Sequence, residues 1–470
     1  MKILHVVHGY PPEVIGGTEL YVARLVREQR RVGHSPHVFA GSLEWRKDLE
    51  VERGFVDDVP VTRVHRNDLY FDRWDKGFHP GVSQVFERHV GTLRPDLVHV
   101  HHWIRLSTNL VTIATRLGVR TVVTAHDLYP SCPRVFRLKG AAGDEPCEQP
   151  MGVDACLHCV PRWRFQRDPE ITAAIRRYRA DMLRELELAA CVITPSTSHG
   201  TFLGRMLGYT AAQLVTLPHG SLEETPRNAP PRGTDGKLHV AYWSHLHPLK
   251  GAHVLLQAAR QCARRDRLVI HLHGEASSPE YKERLERLAE GGDVRFHGRF
   301  RVADLEHATM DVAVIPTLAR ESYSFILDEA TLFGVPIVAA AAGALEERAT
   351  GRVLTFTPND AADLAGKLAQ LVDEPQRLEA MRAAAGPKLA TFAEHAARLE
   401  AIYAQALGKA TAPPPPRDDA ERLRDEWNRR ETAFQELVRI EKWEDIVAEQ
   451  RRRIHDLEQA LRAHSDGAGS

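Results

Sequence analysis

Two glutamates eight residues apart carry the first chemical signal in this chain. Glu321 and Glu329 lie in "ARESYSFILDEA", between the strand-like run "DVAVIPT" and a helical pattern that begins near Ser324. A helix starting there leaves the amides of Ser324, Phe325, Ile326 and Leu327 without intrahelical partners. Together with the helix dipole they form an anion site suited to a phosphate. Glu321, just before the helix, is placed to face a bound sugar. Glu329, two turns inside, can accept hydrogen bonds from two ribose hydroxyls. Lys250, in "HPLKG", would set a positive charge beside the phosphates. Singly, each residue also fits an ordinary solvated surface; the shared setting of strand, loop and helix start favours a site.

Cysteines and histidines offer other chemistry. Cys132, Cys147, Cys156 and Cys159 fall within 28 residues, four of the chain's six cysteines. Cys156 and Cys159 have metal-knuckle spacing, and Cys132 with Cys147 would complete four thiolates for a structural zinc or iron–sulfur site. Unligated thiols and disulfides fit the same stretch. The segment has few aliphatic residues, so it needs a staple from outside a core. "HVHH" (His99, His101, His102) and "HLH" (His271, His273) resemble metal ligands, since alternate strand residues share a face. No carboxylate or cysteine lies close by in sequence to complete a catalytic zinc set, so these read as strand-end histidines hydrogen-bonded in a cleft.

Alternating strands and helices would position these groups. "KILHVVH", "SPHVFAG", "DLVHVHH", "RTVVTAH", "CVITPS" and "LVTLPHG" are short apolar runs with helical segments between several of them. The order predicts a mostly parallel sheet with helices on both faces. In "TELYVARLVREQRRVG", Thr18 is a plausible N-cap and Gly33 a stop. After "SLEETPRNAPPRGTDGK" the pattern restarts with "LHVAYWSH", "LVIHLHG", "VRFHGR", "DVAVIPT" and "PIVAAAAG". We therefore expect an α/β chain with two doubly wound domains facing a cleft, residues 1–220 and 221–385. The cysteine-rich insertion is 132–159. A helix over 386–407 is expected to pack back across the cleft. A proline-rich linker, 408–417, leads to a charged helix or short coiled coil over 418–464. Ile440, Val447, Ile454 and Leu461 keep a sevenfold spacing there, which suits a homo-oligomer, a protein partner or a helix folded back on its own domain. In open α/β sheets ligands bind beyond the carboxyl ends of the strands, which is where His126, Lys250 and Glu321 fall.

Composition narrows the classes. With 62 basic and 63 acidic residues the net charge is −1, so no global field favours nucleic acid. No stretch of about 18 apolar residues would span a membrane. "MKILHVVHGYPPEV" lacks a signal-peptide pattern, which points to the cytoplasm, with room for peripheral association at the inner membrane face. "GYPPEVIGG" is not G-x-G-x-x-G, which disfavours a nicotinamide cofactor.

The ordered set "GGTELYVARL", "TAHDLYPSCPR", "VITPSTS", "LPHG", "HPLKGAHVLLQA", "ARESYSFILDEA" and "GVPIVAAAAGALEE" resembles the GT-B-fold glycosyltransferases of family 4 over about residues 1–407. The resemblance implies a transferase that keeps the sugar's anomeric configuration. It would use a nucleotide-diphosphate sugar, a sugar or lipid-linked acceptor and no catalytic metal. It implies roles too. Gly16 makes the first turn, and Gly17 lets the backbone approach the donor phosphates and the acceptor. His126 bonds the transferred sugar. Lys250 neutralises the diphosphate. Glu321 holds the donor sugar, and Glu329 the ribose. Ser324, Phe325 and Ile326 offer amides to the phosphates. Two positions depart from the pattern. His245 stands where the family usually has a phosphate-binding arginine, so either another cation such as Arg299 or Arg320 substitutes or the phosphate contact is weaker. Tyr323–Ser324 replaces the usual Phe-Gly. A weakly active scaffold recruiting partners through its tail is the alternative reading; the joint presence of Lys250, Glu321, Glu329 and His126 favours the enzyme.

Overall fold

The computed structural model describes residues 1–66, 73–74, 77–139, 145–162, 166–209, 214–222 and 228–409, with isolated helical positions at 442–443, 447 and 450–451. The sevenfold segment 418–464 therefore lies almost wholly outside the described residues, as does the proline-rich linker from residue 410 onward. Residues 1–414 form one compact unit. No described helix is long and apolar enough to cross a membrane.

The first sheet contains β1 (Lys2–Val7), β2 (Ser35–Gly41), β3 (Val51–Val56), β4 (Val59–Val64), β5 (Leu97–Val100) and β6 (Arg120–Thr124). A small hairpin, β7 (Leu138–Lys139) and β8 (Glu145–Pro146), precedes its last strands, β9 (Cys191–Thr194) and β10 (Leu214–Thr216). The order is β10-β9-β6-β5-β1-β2-β4-β3, parallel except for β3 against β4. The second sheet contains β11 (Leu238–Trp243), β12 (Leu268–His273), β13 (Val294–Gly298), β14 (Val312–Ile315), β15 (Ile337–Ala340) and β16 (Val353–Phe356). Its order is β13-β12-β11-β14-β15-β16, all parallel. Central strands such as β5, β9, β14 and β15 are buried at every residue, as a sheet covered on both faces requires.

Both sheets reverse their winding at one point, between β1 and β5 in the first and between β11 and β14 in the second. Adjacent loops part there and leave a crevice at the carboxyl ends of the strands. His101, His102 and the Gly9–Gly17 loop follow β5 and β1. Lys250 and Glu321 follow β11 and β14. Topology alone thus brings the sequence candidates to the two switch points.

The helix Gly17–Arg31 starts earlier than the N-cap expected at Thr18: Gly16 is the N-cap, with extended backbone. The helix Phe392–Gly408 opens on a capping box between Thr391 and Glu394. It buries Phe392, Leu399 and Tyr403 in one cluster with Tyr21, Val22 and Leu25 of the first helix. Burying such rings contributes on the order of 2–3 kcal/mol each, enough to hold the chain's return to the first sheet. Behind the β5 loop, Glu185 is fully buried. It accepts from Trp103 Nε1 at 3.0 Å and from the amides of Val111 and Thr112 at 2.7 and 2.9 Å, fixing the loop after His102.

Candidate active site

Two backbone constraints set the centre of the cleft. Gly251, directly after Lys250, has φ 74°, and a Cβ there would stand 1.8 Å from the Pro316 carbonyl oxygen. Gly343 has φ 67°, and its Cβ would stand 2.4 Å from the Glu321 carbonyl oxygen. That same carbonyl accepts from the Ala344 amide at 2.9 Å. Both loops are therefore locked by close backbone contact that only glycine permits. The lock brings Lys250 Nζ to 2.9 Å from Glu321 Oε1, an ion pair whose side chains are 31% and 15% exposed.

The segment after Glu321 closes against the first half. Ser322 Oγ donates to the His126 carbonyl at 2.5 Å, and the Tyr323 hydroxyl lies 2.8 Å from the His219 carbonyl. Ser324 then takes φ 76°, ψ 93° as N-cap of the helix Phe325–Leu332. This is the left-handed region, costly for a residue with a Cβ. Arg348 steadies the turn: it donates to the Tyr323 carbonyl at 2.9 Å, covers the Tyr323 ring and pairs with Asp328. Nothing local in the sequence marks Arg348, because its partners lie 20 or more residues away. Glu329 accepts from Trp243 Nε1 at 2.7 Å. That bond aims a carboxylate already near the anion site, and Trp243 also escaped sequence reasoning. Gly17 begins its helix facing the Phe325 ring, which a Cβ would approach to 3.3 Å. Gly16 lies beside it, over Glu19. The helix start that offers the Ser324, Phe325 and Ile326 amides thus abuts the glycine loop.

His126 lines the cleft with Asp127, Phe136, Arg320, Glu321 and Ser322. Phe136 belongs to the cysteine-rich insertion, so that loop does shape the cleft wall. Burial lowers the His126 pKa from the usual 6.5 to about 3. The ring continues a buried row: His126 Nε2 to His101 Nδ1 at 3.1 Å, His101 Nε2 to His5 Nδ1 at 3.0 Å, His5 Nε2 to Gln29 Oε1 at 2.7 Å. His5, His99 and His101 bring ring nitrogens within 4.8 Å of one another, the geometry a metal would need. Their nitrogens are already engaged, however. His99 meets Tyr403 Oη at 2.7 Å and Thr124 Oγ1 at 2.8 Å, and the other two belong to the row. This is the hydrogen-bonded arrangement expected of strand-end histidines.

Other candidates fall elsewhere. Arg299 is exposed and pairs with Glu275 at 2.9 Å, directly after β13 at the edge of the second sheet. Arg320 turns toward the first half, 3.3 Å from Ser198 Oγ and over the Phe202 ring. His245 itself is exposed. The expected thiolate tetrad also needs correction. Cys132, Cys147, Cys156 and Cys159 are free thiols, and no three of their sulfurs lie within 4.8 Å of one another. Burial pushes the Cys132 thiol up to about 12. The staple is a guanidinium instead. Arg137, 3% exposed, donates to the Ser131 carbonyl at 2.7 Å, to the Gln149 carbonyl, and to Cys147 Sγ at 3.6 Å. One buried fork satisfies three loop positions, which the cysteine spacing alone did not foretell. A larger groove of about 550 Å³ lies apart from all of these residues, beneath the β3–β4 hairpin, lined by Arg53, Phe55 and Arg88 among others.

Comparison with known proteins fits this geometry. The model for Glycosyltransferase Family 4 matches residues 15–221, and that for Glycosyl transferases group 1 matches 237–374. The D-inositol 3-phosphate glycosyltransferase of Streptomyces griseus subsp. griseus is 29% identical over 413 residues, covering 80% of this chain and 81% of the relative. That of Xylanimonas cellulosilytica is 28% identical over 425 residues, covering 84% and 93%. Among solved structures, sucrose-phosphate synthase from Thermosynechococcus elongatus superposes with TM-score 0.59 at 19% identity, covering 86% of this chain and 99% of that one. Anabaena HepE in complex with UDP and glucose gives TM-score 0.59 at 18% identity, with the same coverage. These likenesses carry the fold: two parallel-sheet domains of the GT-B type. On the two family models and this fold together, the chain belongs to the family 4 glycosyltransferases.

Proposed function

We propose that the protein moves a sugar, with retention of anomeric configuration, from a nucleotide-diphosphate sugar to a hydroxyl of a glycan, glycolipid or small metabolite. The observation that carries this reading is the Lys250–Glu321 pair at 2.9 Å, locked by two glycines between a helix start and the His126 loop. In the reaction the bond from C1 to the diphosphate oxygen breaks. A bond from C1 to the acceptor oxygen forms on the same face, and the acceptor's proton leaves with the diphosphate. The negative charge that grows on the diphosphate meets Lys250 and the amides of the helix Phe325–Leu332, donors already in place. Donor binding draws Lys250 from Glu321 to the phosphates. Glu321 is thereby released to accept from the sugar's hydroxyls, while Glu329, aimed by Trp243, takes the ribose. His126 bonds the sugar from the opposite wall. No step calls on a metal ion.

One comparison supports the donor class and another the transferase class. HepE is solved with UDP and glucose, and the curated relatives are named as transferases acting on an inositol phosphate. The test is a thermal-shift and calorimetric screen with uridine, guanosine and adenosine diphosphate sugars. One donor is expected to bind and to be turned over. Glu321→Ala is expected to abolish turnover without lowering the unfolding midpoint by more than a few degrees. Binding of no donor, or full turnover by the variant, would refute the assignment.

A further inference from the structure

The row that ends at His126 has a direction, and the other end sets it. A neutral imidazole has one N–H and one lone pair, so in a chain of neutral rings each bond fixes the next. Gln29 lies at the far end, 1% exposed, in the helix Gly17–Arg31. Its amide oxygen faces His5 Nε2 at 2.7 Å, and its amide nitrogen faces Tyr403 Oη at 3.3 Å. The oxygen can only accept, so His5 carries its hydrogen on Nε2 and offers a lone pair from Nδ1. His101 must then donate from Nε2 and accept at Nδ1. His126 must donate from Nε2. Its remaining nitrogen, Nδ1, is left with a lone pair, and no described residue bonds it. Turning the Gln29 amide over would reverse every bond and put a hydrogen on that nitrogen. Burial keeps the rings neutral at ordinary pH, with His5 near 4 and His101 well below 6.5.

We infer that Gln29 is a positioning residue: held by Tyr403, it fixes the tautomer of His126, so that His126 presents an acceptor to a hydroxyl of the substrate in the cleft. The inference rests on the reading of the cleft as a sugar-transfer site. It adds that the sugar wall is tuned from a residue three hydrogen bonds away, near the far end of the helix that begins at Gly17. The return helix Phe392–Gly408 takes part through Tyr403.

The test is long-range proton–nitrogen NMR on protein with labelled histidines, the His126 signals being assigned by their loss in His126→Asn. The wild type is expected to show His126 with hydrogen on Nε2. Gln29→Met fills the same space without an anchor. It is expected to give a mixture of tautomers and to raise KM for the donor about tenfold, the loss of about one hydrogen bond, with kcat changed less. Tyr403→Phe frees the Gln29 amide to turn and is expected to move both readouts in the same direction by a smaller factor; it carries the test if Gln29→Met does not fold. Hydrogen on Nδ1 in the wild type, or an unchanged tautomer in the variants, would overturn the inference. So would a changed tautomer with unchanged KM. If the tautomer responds but no nucleotide sugar binds the wild type, the sugar-transfer reading fails, and the role in substrate binding falls with it.

Discussion

Each half of the molecule carries a row of histidines across its parallel strands, and the two rows differ at their anchors. In the first half the row runs Gln29–His5–His101–His126, with contacts of 2.7, 3.0 and 3.1 Å. In the second it runs Asp235–His239–His271–His297, with contacts of 3.0 Å throughout. The first is anchored on a buried amide and ends in the cleft. The second is anchored on an exposed carboxylate and ends on β13, an edge strand. The Lys237 amide and the His239 ring hold Asp235 below the usual carboxylate range, so it is ionised and only accepts. His239 Nε2 therefore always carries hydrogen, and the second row cannot be turned round. The Gln29 amide keeps its orientation only through its 3.3 Å bond to Tyr403 Oη. Equal spacing thus hides a row whose direction rests on the Gln29–Tyr403 bond and that ends in the cleft, and one whose direction a carboxylate fixes outright at a sheet edge.

The largest contrast is expected in turnover. His126→Ala should lower kcat/KM about a hundredfold, as for loss of one preorganised polar contact. His297→Ala should leave it within about twofold. Comparable losses in both would erase the distinction.

Acid comes next. Burial depresses His5 to about 4 and His126 to about 3, with His99 and His101 also well below 6.5. The unfolded chain therefore binds these protons first. Stability is whole above pH 6.5 and is lost as pH falls from there toward 4, on the order of a few kcal/mol in total. Denaturant unfolding between pH 8 and 4, with proton uptake measured at pH 5.5, checks the sign. His5→Asn should flatten the profile more than His297→Asn, whose ring lies at the exposed edge.

Two smaller effects belong to the second half. Ser324→Gly relieves the left-handed backbone at φ 76° and should stabilise by up to about 1 kcal/mol, read from the denaturation midpoint. Asp235→Asn makes the second row reversible in its turn. Because that residue is exposed, the unfolding midpoint should stay within about 2 °C.

Legibility in the sequence followed the range of the contacts. The strands β1, β2, β5, β6, β9, β11, β12, β14 and β15 stand out as apolar runs because both faces of each sheet are covered there, whereas the edge strand β13 is largely exposed. The hairpin β3–β4 does not. Its turn is Asp57–Asp58, both at positive φ without a glycine, and Arg53, Gly54 and Phe55 on the edge are exposed. β16, "VLTF", is too short and mixed to signal itself. Glu321, Glu329, Lys250 and His126 were legible as candidates because each sits beside a turn or strand end with its own local signature. Gln29, Trp243, Arg348 and Arg137 were not. Each acts on partners that packing brings near, across 6 to 86 residues of chain. The pairing of Arg299 with Glu275 was hidden in the same way, across 24 residues of chain.

The most direct test of the account is the stereochemistry of a single transfer. With the donor found in the screen, proton NMR of the product before equilibration should show the anomeric configuration of the donor, and Glu321→Ala should give no product signal. A product of inverted configuration, or transfer that survives in that variant, would contradict the assignment of the Lys250–Glu321 cleft as the site of retaining sugar transfer.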